Sequence, residues 1–212
     1  NGCSALKNIN LPDGITSIGK YAFQKCIALE SIALPRDITT IPACMFNGCT
    51  SLTNVVIPEG IVNIEIDAFY NCSALGKVVL PNGMKTIGYE AFGLCKGLKE
   101  ITLPDSITSI GEMAFQGAGL TKLTLPKGLK SIGKQAFFEC KSLHKVAIPE
   151  GVTSVGRSAF SGCAALECVY IPRSLTRIEG YTFGDCKYIE VCYGGSEEMW
   201  NQISVEGYTE YG

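Results

Sequence analysis

Long apolar runs are missing from this chain: no stretch of about 18 uncharged apolar residues occurs, so no segment reads as a transmembrane helix. An excess of one charge is missing too. Lys and Arg number 18 and Asp and Glu 20, for a formal net charge of −2, with no basic cluster to neutralise phosphates and no acidic run to recruit a basic partner. These absences argue against nucleic acid as a partner and against membrane insertion by this segment. Histidine occurs once, at His144, with no repeated Ser or Cys partner to orient, which leaves no nucleophile and base pair to propose. No C-x-x-C pair stands among the 11 cysteines, so the commonest zinc signature is absent. The chain also opens without a signal peptide, at "NGCSALKNINLP", which reads as the second half of a repeat and so as a piece of something longer.

What the chain does have is a period. Of its 212 residues, 46% are hydrophobic, and the prolines among the rest act as a ruler. Pro12, Pro35, Pro58, Pro81, Pro104, Pro126, Pro149 and Pro172 follow one another at 23 residues, except for one step of 22 between Pro104 and Pro126. Phe23, Phe46, Phe69, Phe92, Phe115, Phe137, Phe160 and Phe183 keep the same beat. The missing residue falls within "FQGAGL", residues 115 to 120. The unit is L-P-x-G-I-x-x-I-G-x-x-A-F-x-x-C-x-x-L-x-x-I-x-L.

Each fixed position forms a column, and the columns dictate the architecture. Ile9, Ile32 and Val55 with Leu11, Leu34 and Ile57 are spaced by two, which puts them on one face of a short strand. A 23-residue unit cannot bury such columns alone, but successive copies stacked in register can. Proline cannot donate to a ladder and ends each strand, and pairs such as Asp13-Gly14 and Glu59-Gly60 turn the chain away. A second pair of columns, with Ile15 and Ile38 in one and Ile18 and Ile41 in the other, lines the return limb. The Ala-Phe pair is expected to start a helical turn with its ring between the limbs. The predicted fold is a right-handed solenoid with a parallel sheet on its concave face, about 23 residues per coil, short helical turns and irregular return limbs.

The stretches "LESIALP", "LKEITLPDSITSIGEMAF" and "LHKVAIPEGVTSVGRSAFSGC" resemble the BspA-like, Treponema-type, leucine-rich repeat family of bacterial and protist surface proteins. The resemblance covers residues 1 to about 194. It implies a leucine-rich-repeat solenoid displayed outside the cell or at its surface, with a role in adhesion to host proteins or to other microbes. It implies no substrate, because the repeated positions are scaffold positions.

The sequence leaves that pattern in four places. Ala118 takes a cysteine position, Pro42 and Glu65 replace glycine, Met45 and Thr182 replace the small residue before Phe, and Cys192 with Gly194 ends the strand columns. Residues 1–194 are therefore assigned to the solenoid, with its first repeat truncated, and 195–212 to a C-terminal cap. In that cap Ser196 is expected to start a short helix carrying Glu197 and Glu198 in its first turn. Met199, Trp200 and Ile203 are expected to cover the last coil.

Cys26, Cys49, Cys72, Cys95, Cys140, Cys163 and Cys186 fill one column, which Cys3 begins. The simplest reading is a ladder of buried thiols, because side chains stacked in parallel are poorly set for a disulfide dihedral and do not converge on a metal. Cys44 and Cys168 lie outside the apolar columns and are expected to be the exposed or reactive thiols.

The outward strand row is where the repeat leaves the residue free. One column there runs through Lys77, Glu100, Lys122 and Lys145 to Cys168, and its companion includes Val56, Val79, Tyr170 and Tyr193. Tyr170 and Tyr193 are expected side by side, as an aromatic end to a weakly basic strip. The candidate binding residues are thus Lys77, Glu100, Lys122, Lys145, Tyr170 and Tyr193. No catalytic residue, metal ligand or cofactor is assigned. The sequence reading is a monomeric, non-catalytic module that holds a host or microbial surface protein or a glycan; the alternative is a spacer within a larger envelope protein.

Overall fold

Apolar and polar residues alternate over L-x-x-I-x-L before each proline, and most coils form a short strand there. These are β1 (Ser31–Ala33), β3 (Asn54–Val56), β5 (Lys77–Val79), β7 (Glu100–Thr102), β10 (Lys145–Ala147), β12 (Cys168–Ile171) and β14 (Glu190–Tyr193). A second series of two residues each follows the turn: β2 (Thr40–Ile41), β4 (Asn63–Ile64), β6 (Thr86–Ile87), β8 (Ser109–Ile110), β9 (Ser131–Ile132), β11 (Ser154–Val155), β13 (Arg177–Ile178) and β15 (Ser204–Val205). The computed structural model describes residues 2–205 and gives a parallel β-solenoid of about eight turns with about 23 residues in each.

All pairing between these strands is parallel. The continuous ladder is the one built from the shorter strands, eight of them in the order β15-β13-β11-β9-β8-β6-β4-β2. The longer strands pair in separate groups, β1-β3, β5-β7 and β10-β12-β14. Register follows the period: Ser31 lies opposite Asn54 at 23 residues, and Ser109 lies opposite Ser131 at 22, where the short coil intervenes.

Like side chains meet like inside the stack. Leu29, Leu52, Leu75, Leu98, Leu120 and Leu143 are fully buried in one column. The phenylalanine rings from Phe23 to Phe183 stack face to face with centroids 5.1 to 5.8 Å apart and planes within 18° of parallel. Each buried ring removes a large apolar area from water, and the offset contact adds to it.

The Ala-Phe segment is not helical, contrary to the expectation. The residue two places before each phenylalanine takes a left-handed backbone, with φ near 55° at Cys44, Asp67 and Gln135. This turns alternate N–H groups toward the next coil: Phe69 N donates to Ala91 O and Phe92 N to Ala114 O, both at 2.8 Å. Among the described residues the α-helix is α1, Glu197–Trp200.

Two replacements of glycine have a partner-making role. Glu65 and Glu179 each use Oε2 to accept a backbone N–H of the preceding coil, from Ala43 and Arg157, at 2.9 Å. In the C-terminal segment the Ser196 hydroxyl accepts from Met199 N at 3.3 Å, as its capping position predicts. Ile203 packs on the core and Trp200 meets Tyr193 edge-on at 5.2 Å, but Trp200 and Met199 both stay exposed, contrary to the expected cover. Residues 206–212 of the expected cap lie outside the described residues.

Candidate ligand-binding face

Strand alternation aims the middle residue of each three-residue strand inward and its neighbours out, as the exposed, buried, exposed sequence of Lys77–Val79 and Glu100–Thr102 illustrates. The outward side chains therefore form a ridge of composition that packing does not dictate. Lys77 stands opposite Glu100 and pairs with it at 3.5 Å, both half-exposed. At that exposure the pair contributes little to stability and leaves both charges accessible. Beside it, Val56 and Val79 are 56% and 59% exposed, although both are large apolar side chains. With Asn54, Thr102 and Pro104 they line an open depression of about 520 Å³. A second depression, of about 570 Å³, is lined by Lys122, Thr124, His144 and Lys145. Two lysines and a histidine thus share one basic concavity. His144 is exposed.

The two tyrosines do not form the expected pair. Between β12 and β14 the register is 22 residues: Tyr170 lies opposite Cys192, and Tyr193 opposite Ile171. A slip of one residue moves a side chain to the other face of a strand. Tyr193 consequently turns toward the core and the Trp200 ring, while Cys192 faces solvent. Tyr170 remains on the outward row at 37% exposure, with its hydroxyl lying over Gly194, where no Cβ would fit. The outward face thus carries Lys77, Glu100, Lys122, Lys145 and Tyr170 but not Tyr193. The pair that sequence reasoning did not select is Val56 and Val79, whose signal is the break in alternation in "NVVIP" and "KVVLP".

The thiols divide by coil position. Cys49, Cys72, Cys95, Cys140 and Cys163 are fully buried, and each Sγ donates to the carbonyl of a phenylalanine in the preceding coil at 3.0 to 3.3 Å. Burial raises the thiols of Cys49, Cys95 and Cys163 to about 12 and drives those of Cys72 and Cys140 well above the ordinary range. Cys44 and Cys168, expected to be exposed, are half-buried; Cys3 and Cys192 are the exposed pair. Burial and the Asp67 carboxylate also raise the Cys44 thiol, which makes it a poor nucleophile. Asp67 itself is raised by burial and by Glu90. All eleven thiols are free. Among the described residues no group of His, Cys, Asp and Glu could hold a metal ion, and no helix is long and apolar enough to cross a membrane.

The family profile described as "BspA type Leucine rich repeat region" matches residues 1–92 and 62–190 in six copies. Among solved structures, a leucine-rich repeat protein from Bacteroides ovatus is 33% identical, with a TM-score of 0.72 over 76% of this chain and 45% of that one. The chain thus spans less than half the length of that relative. A leucine rich cell surface protein from Faecalibacterium prausnitzii is 25% identical, with a TM-score of 0.61 over 96% of this chain and 77% of that one. The T. pallidum leucine rich repeat protein is 27% identical, with a TM-score of 0.54 over 77% and 68% of the two chains. No curated protein matches the sequence.

Proposed function

The chain belongs to the BspA-type leucine-rich repeat family, and on that premise we propose that it is a non-catalytic adhesion module, displayed at a cell surface, that binds a protein or glycan along the outward strand row. The family suggests an interaction or adhesion role, and its repeat and fold are typically non-catalytic. The observation that carries the reading is the exposure of Val56 and Val79 beside the Lys77 and Glu100 pair, because packing requires none of these residues to face water. An apolar patch rimmed by charge, continuing to Lys122, Lys145 and Tyr170, offers area without a cleft. In this reading residues 1–194 are the binding solenoid and 195–212 its cap.

The test is binding of the chain to glycan arrays and to a panel of surface proteins, compared with a Val79→Asp, Lys145→Glu, Tyr170→Ala variant. Loss of binding by about tenfold or more is expected, the scale of removing one or two anchoring residues. A variant that binds as its parent does removes this face from consideration, and the spacer reading takes its place.

A further inference from the structure

The coil that is one residue short changes the surface at a defined point. The position after the cysteine column holds Lys96 in the coil before and Lys141 in the coil after, but Ala118 is followed directly by Gly119 and Leu120. Regular coils fill that position with Thr50, Ser73 or Ala164. Its absence leaves an open notch of about 420 Å³, whose lining includes Lys96, Lys99, Gly117, Gly119, Lys141 and Ser142. The floor is glycine backbone with the Leu94 side chain beside it, its Cδ2 2.9 Å from where a Cβ on Gly117 would stand. Gly117 has a left-handed φ of 64°, and any side chain at Gly119 would collide with the Lys96 carbonyl. Lys99 reaches over this floor, with Nζ 3.5 Å from Lys96 O and 3.1 Å from where a Cβ on Gly119 would stand. Lys141 is steadied by Glu139 at 3.3 Å, and both are exposed. Three ammonium groups against one carboxylate make this a cationic recess in a chain whose net charge is −2.

We propose that the notch binds the anionic head of a phosphate or sulfate monoester. The group occupies the space of the missing residue, with Lys96 and Lys141 on opposite rims, Lys99 across it and the Ser142 hydroxyl beside it. Charge-assisted hydrogen bonds from several ammonium groups suit an oxyanion with three outer oxygens, and a recess screens them less than an open surface does. The site is separate from the outward strand row and does not depend on the function proposed for that row.

Phenyl phosphate and phenyl sulfate are the probes, titrated at low ionic strength into the isotopically labelled chain and followed by amide shifts in two-dimensional NMR. Saturable shifts confined to Gly117, Ala118, Gly119 and Ser142 are expected, and the tighter probe identifies the ester. Lys96→Glu with Lys141→Glu should weaken binding about tenfold or more. Inserting one serine between Ala118 and Gly119 restores the 23-residue period while keeping all three lysines, and should abolish the saturable shifts. Shifts that spread over all lysines without saturating overturn the proposal, as does a folded insertion variant that binds like its parent. If circular dichroism shows that the insertion unfolds the chain, the exposed lysine pair decides: unchanged affinity in that double variant overturns the proposal. The outward row is intact in every variant, so these results are independent of the adhesion test.

Discussion

A thiol in the middle of this stack acts as a small apolar group that also satisfies a carbonyl. Cys95 has no exposed surface, and its Sγ reaches Phe69 O at 3.1 Å. Burial holds its proton to about 12, against 9.0 for an ordinary thiol. The sign of the linkage follows. Folded Cys49, Cys95 and Cys163 keep protons that the unfolded chain releases, so their stabilisation is whole below pH 9 and is lost as pH rises toward 12. Urea midpoints measured across that window should fall, and Cys95→Ala should flatten the fall; an equally steep loss in the variant would exclude the thiols as its source. The same burial predicts that an aromatic disulfide reagent at pH 8 labels Cys3 and Cys192 first and leaves the buried column unmodified until the chain unfolds.

The coil is the next unit, and adjacent coils approach closely at glycines. A Cβ on Gly111 would lie 2.8 Å from the Gly88 carbonyl carbon and 2.8 Å from Ile87 O, because adjacent coils touch there through backbone. Gly111→Ala should cost about 1–3 kcal/mol, the usual penalty for forcing atoms into packed space. Gly76→Ala meets nothing within 4 Å and should be neutral or stabilising by up to about 1 kcal/mol. Equal urea midpoints for the two variants would show that the coils can separate locally at no cost. Such contacts explain what the sequence can reveal about an element. Columns of Leu, Phe and Cys are legible because each is a single residue type at a fixed interval. The left-handed position is not, since Tyr21, Cys44, Asp67, Glu90, Met113, Gln135, Ser158 and Tyr181 occupy it with no common chemistry. What the seven from Tyr21 to Ser158 share is a backbone N–H donated to the next coil, which a list of residues does not display. Strands of two residues, such as Thr86–Ile87, are likewise too short to show alternation, so the longest ladder in the molecule reads as an irregular limb.

At the scale of the whole molecule the stacked core was legible from one interval, and the outward row followed from alternation. Which outward residues matter was not, because that depends on register at the end of the stack. The slip that sends Tyr193 inward also brings it against Trp200, a residue beyond the repeats, so the repeat pattern does not announce it. The coil-to-coil bonding has a mechanical corollary. Every turn is fastened to its two neighbours and to nothing further away, so tension applied between the chain ends should strip turns one at a time, starting from an end. Each release would free 23 residues, lengthening the tether by about 80 Å at full extension. Single-molecule stretching should show a sawtooth with that spacing, while one abrupt rupture would mean that the turns share load collectively.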